Sequence, residues 1–248
     1  MGRMERAKSR KKKHRRRARL TKPKTAAELK KTERAIRIVD KVFREIHPFN
    51  RQEQDVAREI RQRIRRMGAT LSFKPIVASG RNSSFVHHKP GRKIVREDEL
   101  VIFDIGANYR GCCSDITRMH IPGIGVSGKG DGNGSRKAAK KAEKICRDAL
   151  KIQKMVIEKV RPGVEFKELQ GVYKKMMVKK GYKVRHLIGH GVGSVVHERV
   201  KGELQEGMVL TVEPGIYIKD FGGCRVEDMV LVKRGKAKVL SSFIQPLL

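Results

Sequence analysis

Two aspartates, Asp104 and Asp115, stand eleven residues apart in the stretch Val101–Asp115, VIFDIGANYRGCCSD. The residues ahead of them, Leu100, Val101, Ile102 and Phe103, are branched or aromatic and favour a strand. Tyr109-Arg110-Gly111 is a turn signal, so the stretch predicts an antiparallel hairpin. A turn centred between Tyr109 and Arg110 puts Asp104 opposite Asp115, with Cβ atoms ~5 Å apart on one face. A bulge at Gly111 would shift that register. Opposed carboxylates repel and are costly to bury unless a cation sits between them. Oxygen-rich sites of this kind suit divalent metals.

The pattern recurs near the C-terminus. Glu213 lies in MVLTVEPGIYI and Glu227 in CRVEDMVLV. A turn centred on Asp220 sets these two carboxylates opposite each other. Between the pairs, His186-Leu-Ile-Gly-His190-Gly-Val-Gly offers imidazole. Four carboxylates and a histidine on two hairpins fit a dinuclear site with bridging carboxylates.

Helices must hold these hairpins in place. Thr25-Ala-Ala-Glu28 reads as a capping box. Leu29, Ala35, Ile36, Val39, Val42, Phe43 and Ile46 then follow at helical spacing, and His47-Pro48 ends that helix. A second helix runs to about Met67 with Gly68 as its stop, and 71–78 reads as one strand. Two more helices are predicted, Arg136 to about Val160 and Phe166 to Lys180. Each half of the chain therefore reads helix–helix–strands, an internal repeat without obvious sequence identity. The connection 121–135 is glycine-rich and holds a formal G-x-G-x-x-G at Gly123, Gly125 and Gly128. The glycines run on to Gly134 and no parallel βαβ unit surrounds them, so a mobile linker is the default reading over a phosphate site.

The ordered set Asp104, Asp115, His190, Glu213, Glu227 resembles the metal-ligand pattern of the pita-bread metallopeptidases, which include methionine aminopeptidase, aminopeptidase P, prolidase and creatinase. The resemblance runs from about Thr25 to the C-terminus. It implies an α+β pita-bread fold, with pseudo-twofold helix–helix–strand halves around antiparallel sheet. It also implies two divalent ions (Mn²⁺, Co²⁺, Fe²⁺ or Zn²⁺), with Asp115 and Glu227 bridging, Asp104 completing one ion, and His190 with Glu213 completing the other. Glu213 is the family's proton shuttle. His87, in NSSFVHH, matches the substrate-binding histidine, and His197, in VVHE, the histidine that bonds the tetrahedral intermediate. His186, in H-x-x-G-H, resembles the extra histidine of the Xaa-Pro branch, and Arg225 also matches that branch on the substrate side. His88 matches no such position. CSDITR, HLIGHGVG and VEPGIYI look like the Xaa-Pro peptidases, whose N-terminal creatinase-like domain has no counterpart in this sequence. Arg199-Val200 stands where the family usually has a proline and a longer loop.

Three functions follow as expectations: an aminopeptidase cleaving before proline, an initiator-methionine aminopeptidase, or a ribosome- or RNA-associated protein with an idle site. The substrate would be a peptide or nascent-chain N-terminus. Charge bears on the partner. The 248 residues carry a net charge of +33. Residues 1–24 hold 13 Lys or Arg and one Glu, a net +12; the remaining 46 basic and 25 acidic side chains leave +21. Such a surface attracts nucleic acid or other polyanions. Residues 1–24 read as a disordered basic tail that contacts RNA or the ribosome, and 25–248 as one catalytic domain. No apolar run is long enough to span a bilayer, and no apolar h-region follows the basic start. Four cysteines without zinc or disulfide spacing fit a reducing compartment, the cytoplasm.

Overall fold

The computed structural model describes residues 19–122 and 133–242. Helix α1 spans Ala26–Glu45. Its start is the expected capping box: the Glu28 amide donates to Thr25 Oγ1 (3.2 Å) and the Thr25 amide to Glu28 Oε2 (2.8 Å). Helix α2 spans Glu53–Arg66 and stops where Gly68 takes a positive φ of 73°. Strand β1 (Thr70–Leu71) and β2 (Ile76–Ser79) follow, with a 3₁₀ turn at Gly80–Ser84. The single strand expected over 71–78 is thus two, split around Ser72–Pro75, where proline cannot donate to a ladder.

The first hairpin is interrupted. Its lower part pairs β3 (Val101–Ile105) with β6 (Ile116–His120), and its tip pairs β4 (Ala107–Tyr109) with β5 (Cys112–Cys113). Helices α3 (Asn133–Ile157) and α4 (Phe166–Lys179) come next. The second hairpin repeats the plan. β7 (Val209–Val212) pairs with β10 (Asp228–Leu231), and β8 (Gly215–Ile218) with β9 (Gly222–Arg225). β11 (Lys238–Val239) flanks β10, as β2 flanks β3. The two halves meet at an antiparallel bridge between Thr117 and Glu227. This is the α+β pita-bread arrangement that the resemblance implies, and its two halves match the helix–helix–strand repeat.

Both faces of the strands are covered, which explains why they read as unbroken apolar runs. Alternation sends neighbouring residues to different cores. Val101, Phe103 and Ile105 join one core with Ile36, Val39 and Ile60 of α1 and α2. Ile102 joins the other, with Ile145, Ile152 and Leu169 of α3 and α4. Val209 and Leu210 divide in the same way.

Two expectations need correction. Residues 19–24, assigned to the tail, are fixed to the body: the Thr21 amide donates to the Arg199 carbonyl (3.0 Å) and the Lys24 amide to that of Gly207 (2.8 Å). Residues 1–18 and the glycine motif at 123–128 lie outside the described residues. The first hairpin's register is also not the expected one. Tyr109 pairs with Cys112 and Asp104 with Thr117, so the turn is Arg110–Gly111. Both turn residues have positive φ (49° and 83°), as a two-residue hairpin turn of right-handed twist requires. The pairing is displaced by two residues, an even number, so Asp104 and Asp115 stay on one face as diagonal neighbours. In the second hairpin Gly215 pairs with Arg225 and Asp228 with Val212, which leaves Glu213 opposite Glu227 as expected. Among the described residues no helix is long and apolar enough to cross a membrane.

Candidate metal centre

The acidic residues sit where the hairpins break. Asp115 lies between β5 and β6, Glu213 between β7 and β8, and Glu227 between β9 and β10, while Asp104 is one residue from the end of β3. At these breaks the side chains leave the regular ladder and converge. One ligand atom from each of Asp104, Asp115 and Glu227 lies within 4.8 Å of the others, and the same holds for His190, Glu213 and Glu227. His190 Nε2 is 3.4 Å from Asp115 Oδ2 and 3.6 Å from Glu213 Oε1. The segment carrying His190 runs along β7: the Thr211 amide donates to the His190 carbonyl, and the Glu213 amide to that of Ile188, each at 2.8 Å. All five expected ligands are therefore brought together.

The electrostatics call for cations. Burial and the neighbouring Glu227 and Asp104 charges push the Asp115 carboxyl well above the usual range. Burial and the Glu227 charge do the same to Glu213. Burial and the Asp104 charge push Glu227 up to about 7. Asp104 Oδ1 and Glu227 Oε1 are buried and accept no hydrogen bond. Leaving charged oxygens so is costly. Two orphaned carboxylate oxygens in a cluster of four acids and an imidazole fit a pair of divalent ions.

The histidines surround this cluster. The His197 ring lies against His190, with centroids 4.3 Å apart. Desolvation of the inward edge of His197, and the His190 beside it, lower its pKa. His186 is pushed down to about 4 by burial, against a carbonyl bond that favours its charge. It is neutral near pH 7, so its Nδ1–H donates to the Leu187 carbonyl (2.7 Å) and Nε2 accepts from the Tyr217 hydroxyl (3.0 Å). His87 is exposed, on the loop that follows the 3₁₀ turn Gly80–Ser84.

Residues 30–234 match metallopeptidase family M24. The chain belongs to that family. The Xaa-Pro dipeptidase of Pyrococcus horikoshii is 34% identical over 230 residues, 88% of this chain and 62% of that protein. The prolidase structure from Pyrococcus furiosus superposes with a TM-score of 0.76 at 34% identity, over 88% of this chain and 65% of that one. The X-Pro aminopeptidase of Thermotoga maritima gives a TM-score of 0.79 at 28% identity, over 91% and 64%. The M24 chain thus spans less than two thirds of the length of these relatives.

One expected role changes. The resemblance places Arg225 on the substrate side, but its guanidinium is buried and occupied by the protein. Nη2 donates to Asp104 Oδ2 (2.6 Å), Nε to Thr117 Oγ1 (3.2 Å), and Nη1 to the Tyr217 hydroxyl (2.8 Å) and the Val86 carbonyl (3.2 Å). It orients Asp104, and through Tyr217 it orients His186.

Sequence reading missed three supports in this M24 site. Thr117 donates to Glu227 Oε2 at 2.7 Å. Arg118, wholly buried, donates to the Glu227 carbonyl (2.6 Å) and to Asp228 Oδ1 (2.7 Å). Glu53, also wholly buried, receives the Ser79 and Gly91 amides, the Asn82 amide and the His88 imidazole, and so fixes the loop that carries His87. The one sequence signal was the TR that follows Asp115-Ile116, a threonine and an arginine inside an apolar strand.

Proposed function

We propose that the protein is a dinuclear metal-dependent aminopeptidase that hydrolyses the first peptide bond of short Xaa-Pro peptides. The observation that carries this is the pair of orphaned oxygens on Asp104 and Glu227, inside a buried cluster completed by Asp115, Glu213 and His190. Asp115 and Glu227 would bridge two ions, with Asp104 on one and His190 and Glu213 on the other. Carboxylate-rich ligation suits Mn²⁺, Co²⁺, Fe²⁺ or Zn²⁺. When bound, the ions supply an activated water and polarise the scissile carbonyl.

The remaining work falls to side chains. Glu213 would carry the proton from the water to the leaving nitrogen. His197 donates to the oxyanion. His87 and neutral His186 bind the substrate at the mouth. The relatives named Xaa-Pro dipeptidase, prolidase and X-Pro aminopeptidase favour proline specificity over an initiator methionine. The test is hydrolysis by protein loaded with Mn²⁺ or Co²⁺. Leu-Pro should be cleaved and Met-Ala spared, and Glu213→Gln or His197→Ala should abolish turnover with the fold kept. Cleavage of Met-Ala alone would overturn the proline reading.

We further propose RNA, including ribosomal RNA, as a partner. Along the described outer face of α3, eight Lys or Arg are exposed from Arg136 to Lys154, against one exposed acid, Glu143. Lys137, Lys140, Lys144, Arg147, Lys151 and Lys154 alternate steps of three and four, which makes a single stripe. Four free, buried thiols support a reducing compartment, the cytoplasm.

A further inference from the structure

The loop from His190 to His197 joins a metal ligand to the oxyanion histidine. It is closed by Gly191 and Glu198, which exchange both backbone hydrogen bonds (2.9 and 2.8 Å). On one side it rests on β7 through the Val192 amide and the Val209 carbonyl (3.0 Å). On another it receives the Cys113 amide at the Gly193 carbonyl (2.8 Å). The third side is covered by residues 19–24.

That segment is built into the loop. Leu20 bridges to Arg199 in parallel, with the Arg199 amide donating to the Arg19 carbonyl (2.7 Å). The Arg19 guanidinium reaches the Ser194 hydroxyl. Lys24 Nζ lies 2.9 Å from Glu198 Oε2, and the two side chains are only 8% and 6% exposed. The other Glu198 oxygen accepts the Ser194 amide at 3.1 Å. A Cβ at Gly191 would overlap the Thr21 side chain, and one at Gly193 would overlap the Glu198 carboxylate and the Lys24 ammonium. The two glycines that follow His190 therefore make room for this segment.

A buried ion pair is weak evidence for stability, since an apolar pair of similar volume often does as well. What it supplies is a fixed position. Glu198 is the residue after His197, at the point where the loop closes. We infer that Lys24 and Glu198 are positioning residues for His190 and His197, with segment 19–24 a strap across their loop. The part concerning His190 rests on the proposed metal centre, and the part concerning His197 on the peptidase reading.

The test compares full-length Lys24→Met and Lys24→Arg with wild type. Three quantities are measured: Mn²⁺ affinity by calorimetry, amide exchange over 190–199, and kcat and KM on Leu-Pro. Lys24→Met should weaken Mn²⁺ binding about tenfold, the scale of lost outer-shell support. It should also speed exchange in the loop and lower kcat with KM little changed, and Lys24→Arg should recover all three. Should Lys24→Met fail to fold, Glu198→Gln, which keeps the Ser194 bond, carries the same comparison. A variant with a lower melting temperature but wild-type Mn²⁺ affinity and loop exchange would overturn the inference. If wild type cleaves no peptide, the peptidase reading fails, and affinity and exchange still decide the strap.

Discussion

Arg225 holds Asp104 by a 2.6 Å hydrogen bond from Nη2 to Oδ2, across 121 residues of chain. Both side chains are buried. Removing one partner of such a pair leaves an uncompensated charge and costs about 3–5 kcal/mol. Arg225→Met should lower the unfolding free energy of the metal-free protein by that amount. Arg225→Lys should cost less but still lower activity, because an ammonium cannot reach Thr117, Tyr217, Val86 and Asp104 together. Urea titrations in EDTA read both; an Arg225→Met protein as stable as wild type would refute the account.

Metal should stabilise the fold. An ion at 100 times its dissociation constant adds about 2.7 kcal/mol if only the native state binds it. Melting temperature should rise with added Mn²⁺ in wild type, and much less in Glu227→Gln. Elemental analysis should find two ions per wild-type chain and fewer in that variant. An unchanged melting temperature with no bound metal after reconstitution would count against a metal centre.

Asp148 of α3 should govern acid stability. Lys180 (2.6 Å), Tyr182 (2.7 Å) and Lys144 (2.9 Å) all donate to it, which clamps α3 to the end of α4. Burial acts to raise its pKa, but these donors outweigh burial and hold it at about 2. Because the folded value lies below the unfolded ~4, the stabilisation is present above pH ~4 and is lost as pH falls toward 2. Asp148→Asn should cost about 1–3 kcal/mol near neutrality. Its deficit against wild type should shrink at pH 2 to 3; a deficit that stays constant with pH would show that the carboxylate charge is not the cause.

RNA affinity should fall steeply with salt. Deleting residues 1–18, which leaves the strap intact, should weaken binding and flatten that dependence. Charge reversal at Lys140, Lys151 and Lys154 should add to the loss. Peptide hydrolysis should survive both changes. Equal affinities for truncated and full-length protein across a salt titration would show that the tail makes no contact.

The candidate ligand set was legible because its acids stand in or beside apolar strands, where a charge needs a reason, and because their order and local motifs resemble a known family. The second hairpin's register was legible too, since its turn is symmetric about Asp220. The first was displaced because Arg110, a non-glycine residue, takes a positive φ, which no sequence rule assigns to arginine. The motif around Arg225 locates the residue, but it does not tell whether the guanidinium faces substrate or protein. Glu53 and Lys24 were invisible because their partners lie 26 or more residues away, and a charged residue near a helix start usually reads as solvated. The breaks that aim Asp115, Glu213 and Glu227 inward also escaped, since pattern reading sees alternation and not its interruption.

The bridge between Thr117 and Glu227 joins segments 110 residues apart in sequence. Contacts this distant form only after most of the chain is already restricted, because loop closure must come before they stabilise anything. Neither half contains the complete set of candidate ligands: Asp104 and Asp115 come from the first, and His190, Glu213 and Glu227 from the second. The complete candidate ligand set exists only where both halves are docked, so ion capture would act as a checkpoint that only such chains can pass.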